Sequence, residues 1–198
     1  EYKGKPTLLA GGSIDDNLFQ IADLDQHLNL LAAVGGNYVR NTMSSRDPGN
    51  LHPFHQQPDG KYDLNQLNEK YFERFEHFLR LTSDRDMIVQ IELWDRFDYA
   101  GDNWLINAYR PANNVNYTVK QSGLANEYPR HPGKNDNPFF RAIPDHDNNP
   151  VVLKYQHALV DRLIEIAIKY PNVFTQWITK AVRRHSGARI GRVIFSAK

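Results

Sequence analysis

The chain alternates between short apolar runs that favour β-strands and longer segments with the spacing of amphipathic helices. The strand-like runs are residues 7–10, 37–43, 87–93 and 172–174. The helix-like segments between them are residues 23–34, 64–81 and 152–168. Near-continuous apolar runs suit strands that are buried on both faces, and their alternation with helices predicts parallel βαβ units.

Two folds fit this order, a doubly wound sheet and a (β/α)8 barrel. The first turn after a strand-like run is Gly11-Gly12-Ser13, which lacks the G-x-G-x-x-G pattern of a dinucleotide fold. Connections before strands are very short, whereas residues 44–63 and 94–147 form long connections after strands, where barrel enzymes build their sites. The 198 residues are fewer than the roughly 250 of a whole barrel. We predict an α/β fold, an incomplete (β/α)8 (TIM-type) barrel of about four βα units with parallel strands.

The long connection after residue 93 is rich in aromatic, Asn and Asp residues. Sugars present apolar C–H faces and a rim of hydroxyls, which aromatic rings and amide or carboxylate groups match. A loop packed by its own aromatic residues is the alternative for any single position. The candidates for binding a saccharide in this segment are Trp94, Trp104, Tyr109, Asn135 and Asp136.

Carboxylates cluster at the ends of the predicted strands. Asp15 and Asp16 follow the first, and Glu92, Asp95 and Asp98 surround the end of the third. Glycosidases need two carboxyl groups, about 5–5.5 Å apart for retention and about 6.5–9.5 Å apart for inversion. Glu92, Asp95 and Asp98 are therefore the candidate catalytic residues.

Polar residues near the end of the second strand complete the predicted site. Arg40 and Asn41 are candidate substrate-binding residues, and Arg40 is placed to pair with Glu92. On β-alternation, Glu92 shares a face with Gln90 and Trp94. The alternative for the Arg40–Glu92 pair is a purely structural role.

Composition limits the other classes of site and partner. The chain has no cysteine, which excludes disulfides and thiolate zinc sites, and His52 and His55 lack a partner spacing for a metal. We expect neither metal nor cofactor. No apolar run approaches the roughly 20 residues of a membrane span, so no membrane partner is expected. Localisation is left open, with secretion or a periplasmic location as an option if an export signal was removed before Glu1.

The charge balance changes at residue 175. Residues 175–198 contain six basic residues and no acidic ones, whereas the whole chain has 24 basic and 23 acidic residues. Such an asymmetry is typical of a nucleic-acid-binding tail. We expect no nucleic-acid partner, because a different cause explains this segment better.

Several segments resemble cellulase-like barrel glycosidases of the clan that includes glycoside hydrolase family 5. They are residues 3–12, 36–40, 91–95, 131–140 and 169–173. The resemblance implies a (β/α)8 barrel, with an acid/base Glu after an Asn at the end of strand four and a nucleophile Glu at the end of strand seven. Arg40 matches the arginine common at the end of strand two in that group. Neither Glu has a counterpart here, because the resemblance stops at Phe174.

The codons of the segment after Phe174 suggest why the resemblance stops. If one base is restored after the Phe174 codon, the shifted frame of residues 175–181 forces an Asp and permits Asn-Glu after it. We therefore predict that residues 1–174 form a half-barrel glycosidase-like domain and that residues 175–198 are an atypical basic tail read out of frame.

Two classes of function remain. The first is a glycoside hydrolase, or a remnant of one, acting on a β-linked polysaccharide or oligosaccharide. The second is a non-catalytic saccharide-binding or structural half barrel. In both cases an open half barrel exposes strand edges and an apolar face, so we expect a homodimer or higher homo-oligomer.

Overall fold

The computed structural model describes residues 2–134 and 136–179, with backbone alone for residues 175–179. These residues form a mixed α/β structure. In chain order its elements are α1 (Leu24–Ala33), β1 (Tyr38–Thr42), β2 (Phe54–Gln56), β3 (Tyr62–Leu67), α2 (Glu69–Asp84), β4 (Ile88–Asp95), α3 (Gly101–Ile106), α4 (Val119–Ser122), α5 (Pro150–Ala167) and β5 (Val173–Thr179). Short 3-10 turns, among them Leu18–Gln20 and Arg96–Tyr99, lie between them.

The central sheet contains β1, β4 and β5, side by side in that order and all parallel. Arg40 of β1 lies opposite Gln90 of β4, and Glu92 of β4 lies opposite Gln176 of β5. Along the chain, β4 follows β1 and β5 follows β4 in the same direction across the sheet. The strand order of this three-stranded sheet therefore does not reverse. The predicted parallel α/β architecture is confirmed, whereas closure toward a half barrel stays a prediction.

The predicted first strand, residues 7–10, is wrong as a strand. The segment runs beside β1, where the backbone N–H of Asn37 donates to the carbonyl of Ala10 at 2.7 Å. The next hydrogen bonds, which backbone groups would make in a pair of strands, are made by the Asn37 side chain. It accepts from Ala10 N at 2.9 Å and donates to Leu8 O at 3.0 Å. Because a side chain supplies these bonds, regular pairing does not propagate and only an isolated bridge joins Gly11 to Tyr38.

A β-hairpin that the sequence analysis did not predict occupies the connection after β1. Strands β2 and β3 pair antiparallel around a turn at Gly60, whose positive φ of 84° favours glycine. The predicted helix 64–81 is wrong at its start, because α2 begins at Glu69. Tyr62 and Leu64 are buried and Asp63 between them is half-buried, the alternation of a strand.

The helices α1, α2 and α5 supply one side of the core. Residues from one face of the sheet, including Val39, Val89 and Ile91, join buried helix residues in a single hydrophobic cluster. The predicted helix 152–168 is confirmed as α5, which begins two residues earlier at Pro150. Asn149 is its N-cap and accepts from Val152 N at 3.3 Å. The other face of the sheet carries polar side chains toward its carboxyl end.

In the described ranges, none of the helices has the length and apolar character that a membrane crossing requires.

Candidate functional site

Polar side chains on β1 and β4 form a connected row on the face of the sheet that lies opposite the helices. Arg40 Nη2 lies 2.8 Å from Glu92 Oε2, so the predicted pair is confirmed. Gln90 Nε2 donates to Glu92 Oε1 at 2.7 Å, and Tyr38 OH donates to Gln90 Oε1 at 2.7 Å. The Glu92 side chain is only 6% exposed, and its contacts with Arg40 and Gln90 hold both of its oxygens in place.

Asp16 brings the N-terminal segment into the same site. Its backbone carbonyl accepts from Thr42 N at 2.7 Å, which fixes it at the end of β1. Its carboxylate bridges two arginines, with Oδ1 at 2.8 Å from Arg40 Nη1 and Oδ2 at 2.7 Å from Arg46 Nη2. About a third of the Asp16 side chain is exposed, more than that of Glu92.

Arg46 is the residue that joins the site together. Its Nη1 lies 2.8 Å from Asp95 Oδ2 and 2.9 Å from Asp98 Oδ1, while its Nη2 holds Asp16. Ser44 donates its hydroxyl to Asp98 Oδ1 at 3.0 Å. One guanidinium therefore connects the segment before α1, the connection after β1 and the connection after β4. We call these six charged residues, Asp16, Arg40, Arg46, Glu92, Asp95 and Asp98, the carboxyl-end cluster.

Burial changes the protonation chemistry of the carboxyl-end cluster. Loss of solvent raises the pKa of Asp98 to about 7, an effect that Arg46 opposes and the neighbouring Asp95 charge increases. For Arg46, burial alone would lower the pKa, but the bonds to Asp95 and Asp98 outweigh it and raise the pKa above its ordinary value. A carboxyl group thus holds a proton near neutral pH beside a guanidinium that stays charged.

Asp95 has a structural role in this conformation. Its Oδ1 accepts from Phe97 N at 3.0 Å, which caps the turn Arg96–Tyr99, and its Oδ2 is held by Arg46. Its side chain is 0% exposed, so a substrate reaches it only if the turn rearranges.

Asn41, predicted to bind substrate, makes structural hydrogen bonds in this conformation. It is fully buried, accepts from Phe19 N at 2.8 Å and donates to Thr42 O at 3.1 Å. The burial of Asn41 has a simple reason. Asn41 precedes Thr42 and follows Arg40, so its side chain points to the opposite face of the sheet from Arg40.

The aromatic residues predicted to stack on a saccharide are buried in the connection after β4. Trp94 packs edge-on against Phe139 at 5.2 Å between ring centroids, and Tyr109 packs against Phe139 at 4.8 Å. Trp104 is fully buried and donates its indole N–H to Ala125 O at 3.0 Å. In this conformation the rings of Trp94, Trp104 and Tyr109 form the loop's own core, which is the alternative that the sequence left open, and saccharide binding by these residues stays a prediction.

The remaining two predicted substrate-binding residues lie in the same connection. Asn135 lies outside the described residues. Asp136 is on the surface with an 80% exposed side chain, and its carboxylate lies 3.8 Å from Arg130.

In the sequence, Asp16 stood out only as one of two carboxylates after the first predicted strand, and Arg46 was not among the predicted site residues. A signal for Arg46 was present, since it follows the end of β1 by four residues and therefore enters the edge at which Asp95 and Asp98 lie. What the sequence did not show was that a single arginine would contact three carboxylates from two other segments.

A small cavity adjoins the buried end of the carboxyl-end cluster. Its volume is about 40 Å³, and its lining includes Arg46, Asp98, Ser45, His52 and Tyr99. Since one water occupies roughly 30 Å³ in the liquid, this space suits a water molecule and not a sugar ring. Burial also lowers the pKa of His52 to about 4, so its imidazole is neutral at physiological pH. In the described ranges, no group of three His, Cys, Asp or Glu side chains is arranged to hold a metal ion.

Fold and site together define a mixed α/β protein with a parallel three-stranded sheet and a charged cluster at its carboxyl edge. No protein-family model matches the chain, and no curated protein matches it either. Among solved structures, the chain is similar to a glycoside hydrolase family 5 mannosidase from Rhizomucor miehei, determined in complex with mannosyl-fructose. The two share 14% sequence identity with a TM-score of 0.46, over 88% of this chain and 44% of the enzyme. The chain thus spans less than half the length of that enzyme, and the structural similarity is weak.

Proposed function

We propose that the protein is glycoside hydrolase-like, acting on a β-linked polysaccharide or oligosaccharide or derived from an enzyme that did. The observation that carries the proposal is the carboxyl-end cluster. Its carboxyl groups come from the segment before α1 and from the end of β4 with the turn after it, and they meet at the edge where parallel α/β folds place their ligands.

The protonation chemistry of the cluster supports this proposal. Hydrolysis of a glycosidic bond uses two carboxyl groups whose environments differ, so that one carries a proton while the other is ionised. Here Glu92 is paired with Arg40, whereas burial raises the pKa of Asp98 to about 7. In this proposal Glu92 is the anionic group that faces the saccharide with Arg40, and Asp98 is the group that holds a proton.

A turnover assay tests the proposed reaction. A panel of aryl β-glycosides is incubated with the protein and with Glu92→Gln, and Glu127→Gln serves as the matched control because Glu127 is exposed and outside the cluster. We expect release of the aryl group to be lost in Glu92→Gln and kept in Glu127→Gln. Equal turnover in all three proteins would refute the assignment of Glu92.

The second proposal is a non-catalytic saccharide-binding or structural half barrel that self-associates. Burial favours it, because Asp95 is inaccessible and the carboxylates of the cluster are engaged by arginines. Exposed apolar residues beside the β1 edge, Leu8 at 85% and Ile14 at 72%, favour contact between copies. Absence of turnover together with retained oligosaccharide binding by calorimetry supports this proposal, and a monomeric mass by light scattering at micromolar concentration contradicts the self-association.

The division at residue 174 remains a proposal as well. We propose that residues 175–198 are out of frame and that the acid/base Glu expected from the resemblance is lost with them. The backbone of β5 continues across the division from Val173 to Thr179, and the rest of the tail lies outside the described residues. The gene sequence tests the idea, since codons at Thr179 and Lys180 that cannot yield Asn-Glu in the shifted frame would rule it out.

A further inference from the structure

A groove separate from the carboxyl-end cluster lies between the start of β3 and the connection after β4. Its volume is about 650 Å³, within the roughly 300–1,000 Å³ of small-molecule sites. We call it the β3 groove, and its lining includes Lys61 from the hairpin and Val115, Val119, Gln121 and Asn126 from the connection. In the part of the chain that the structure describes, none of the six charged residues of the carboxyl-end cluster lines it.

Backbone hydrogen bonds fix the walls of the β3 groove. Val115 N donates to Tyr62 O at 3.0 Å, which joins the connection to β3. Within the connection, Ala112 N donates to Asn126 Oδ1 at 3.0 Å. Because these bonds are internal to the fold, the groove is formed before a ligand arrives, which lowers the entropic cost of binding.

Two amide side chains of the β3 groove use their oxygens for the fold and leave their nitrogens available. Gln121 Oε1 accepts from Thr118 N and from the Thr118 hydroxyl, both at 2.9 Å. Asn126 Oδ1 accepts from Ala112 N. Among the described residues, Gln121 Nε2 and Asn126 Nδ2 have no hydrogen-bond partner. The β3 groove therefore presents N–H donors to a ligand.

Lys61 adds a positive charge to these donors. Within the described ranges its ammonium group is in no ion pair, and no Asp or Glu side chain lines the groove. Asp63, which Asn116 contacts from the groove, has its carboxylate occupied by hydrogen bonds from Asn116, Asn65 and Gln66. A cation with N–H donors beside it and no carboxylate in the same lining favours an anionic ligand.

We propose that the β3 groove binds an acidic saccharide, one whose sugar units carry carboxylates, at a site separate from the carboxyl-end cluster. The choice of a saccharide rests on the proposed function, whereas the choice of an acidic one rests on Lys61 and the two amide donors. Val115 and Val119, which are 49% and 44% exposed, provide apolar surface for the C–H faces of a sugar ring.

An acidic peptide fits the β3 groove less well than an acidic saccharide does. Peptide N–H groups need acceptors, but the side-chain oxygens of Gln121 and Asn126 already accept hydrogen bonds from the fold. A sugar hydroxyl accepts from an amide N–H and turns its own proton to solvent, so it needs no acceptor from the groove. A sugar carboxylate only accepts, and it matches the ammonium of Lys61.

NMR titration of the ¹⁵N-labelled full chain tests the site with three probes. They are a β-linked triglucuronate, cellotriose, which lacks carboxylates, and triglutamate, which has carboxylates on a peptide. We expect triglucuronate to bind most tightly, to shift the amide resonances of Val115 and Gln121, and to bind less tightly as salt screens Lys61. The proposal is overturned if cellotriose or triglutamate binds as tightly as triglucuronate, or if none of the three shifts these resonances.

Substitutions in the β3 groove test its chemistry. Gln121→Glu keeps the oxygen that Thr118 contacts but places a negative charge at the free amide, so the Kd for triglucuronate should rise by roughly tenfold or more. Lys61→Met should raise the Kd about two- to fivefold, as for an exposed ion pair. Lys120→Met removes the same charge at an exposed position outside the lining and should leave the Kd unchanged. An equal rise in Lys61→Met and Lys120→Met would overturn the site, because binding would then follow net charge alone.

The titration also separates this site from the proposed reaction. Glu92→Gln should bind triglucuronate as the unmodified protein does, because Glu92 does not line the β3 groove. Intact triglucuronate binding without aryl glycoside turnover would refute the catalytic role and leave the β3 groove in place. Turnover that depends on Glu92, without shifts at Val115 and Gln121, would refute the groove and leave the catalytic role in place.

Discussion

Replacement of Asp98 by asparagine should change how the stability of the protein depends on pH. The new amide would keep an oxygen acceptor for Ser44 and Arg46 but carry no charge at any pH. In the unmodified protein, burial raises the pKa of Asp98 from 3.8 to about 7. The folded protein therefore holds a proton on Asp98 over a pH range in which the unfolded chain has released it.

The sign of the effect follows from this difference in proton binding. A group whose pKa is raised by folding contributes stability that is fully present below its unfolded pKa and is lost as the pH rises through its folded pKa. For Asp98 the loss begins near pH 4 and is complete above pH 7. The whole shift corresponds to about 4 kcal/mol, and the part lost between pH 5 and pH 8 is about 3 kcal/mol.

Urea unfolding at pH 5, 6, 7 and 8 measures the effect, with the free energy of unfolding of Asp98→Asn compared with that of the unmodified protein at each pH. Other titrating groups cancel in the difference as long as the substitution leaves their pKa values unchanged. We expect the difference to move by about 3 kcal/mol in favour of the asparagine variant between pH 5 and pH 8. Asp136→Asn, the same substitution at a side chain that is 80% exposed, serves as the control. A difference for Asp98→Asn that does not change with pH would refute the argument that Asp98 is protonated in the native state.

Three further substitutions test the packing around the site. Arg46→Met should lower the free energy of unfolding by about 3–5 kcal/mol because it leaves buried carboxylates without a cation, whereas Arg130→Met at a 71% exposed position should change it by less than about 0.5 kcal/mol. Trp104→Ala should cost about 3–5 kcal/mol in the same urea assay, since the ring is fully buried, and Leu105→Ala at a 40% exposed neighbour should cost much less. Asn149→Ala should cost about 1 kcal/mol through loss of the N-cap of α5, and an unchanged unfolding midpoint would contradict the cap.

The main strands and helices of the fold could be predicted because their signals are local and repeated. The apolar face of α2, with Phe75 and Leu79 buried, reflects a helical period that no alternative structure explains. The segment at residues 7–10 is equally apolar but is not a strand. Its backbone bonds are taken by the side chain of Asn37, which is 27 residues away from Ala10 in sequence. A local pattern contains no information on such a partner.

The residues of β3 fit two periodic patterns, that of a helix and that of a strand. Leu64 and Leu67 fit the helical spacing that continues through α2, and they also fit a strand that ends before Asn68. The structure adopts the strand, in which Leu64 N donates to Asn116 Oδ1 at 2.6 Å. That bond is provided by the connection after β4, so the choice between helix and strand is made by a tertiary contact.

The site residues show the same difference between what local geometry determines and what tertiary contacts determine. The Arg40–Glu92 pair was predictable because both residues lie near the ends of adjacent parallel strands on one face, where strand geometry alone brings them together. Residue composition suggested Trp104 as a saccharide-binding residue, but composition does not distinguish a ring that faces solvent from one that packs inside its own loop. A buried indole N–H needs a partner, and Trp104 has one in the Ala125 carbonyl.

Arg46 marks the limit of what local sequence could show about this site. An arginine at the surface and one that joins three segments have the same sequence signature. What distinguishes them is the set of carboxylates at the same edge, and here Asp16, Asp95 and Asp98 all converge on Arg46. Since an uncompensated buried carboxylate is strongly destabilising, the fold itself requires a cation at this point. The position of Arg46 is therefore explained by stability first, and any role in chemistry is built on that requirement.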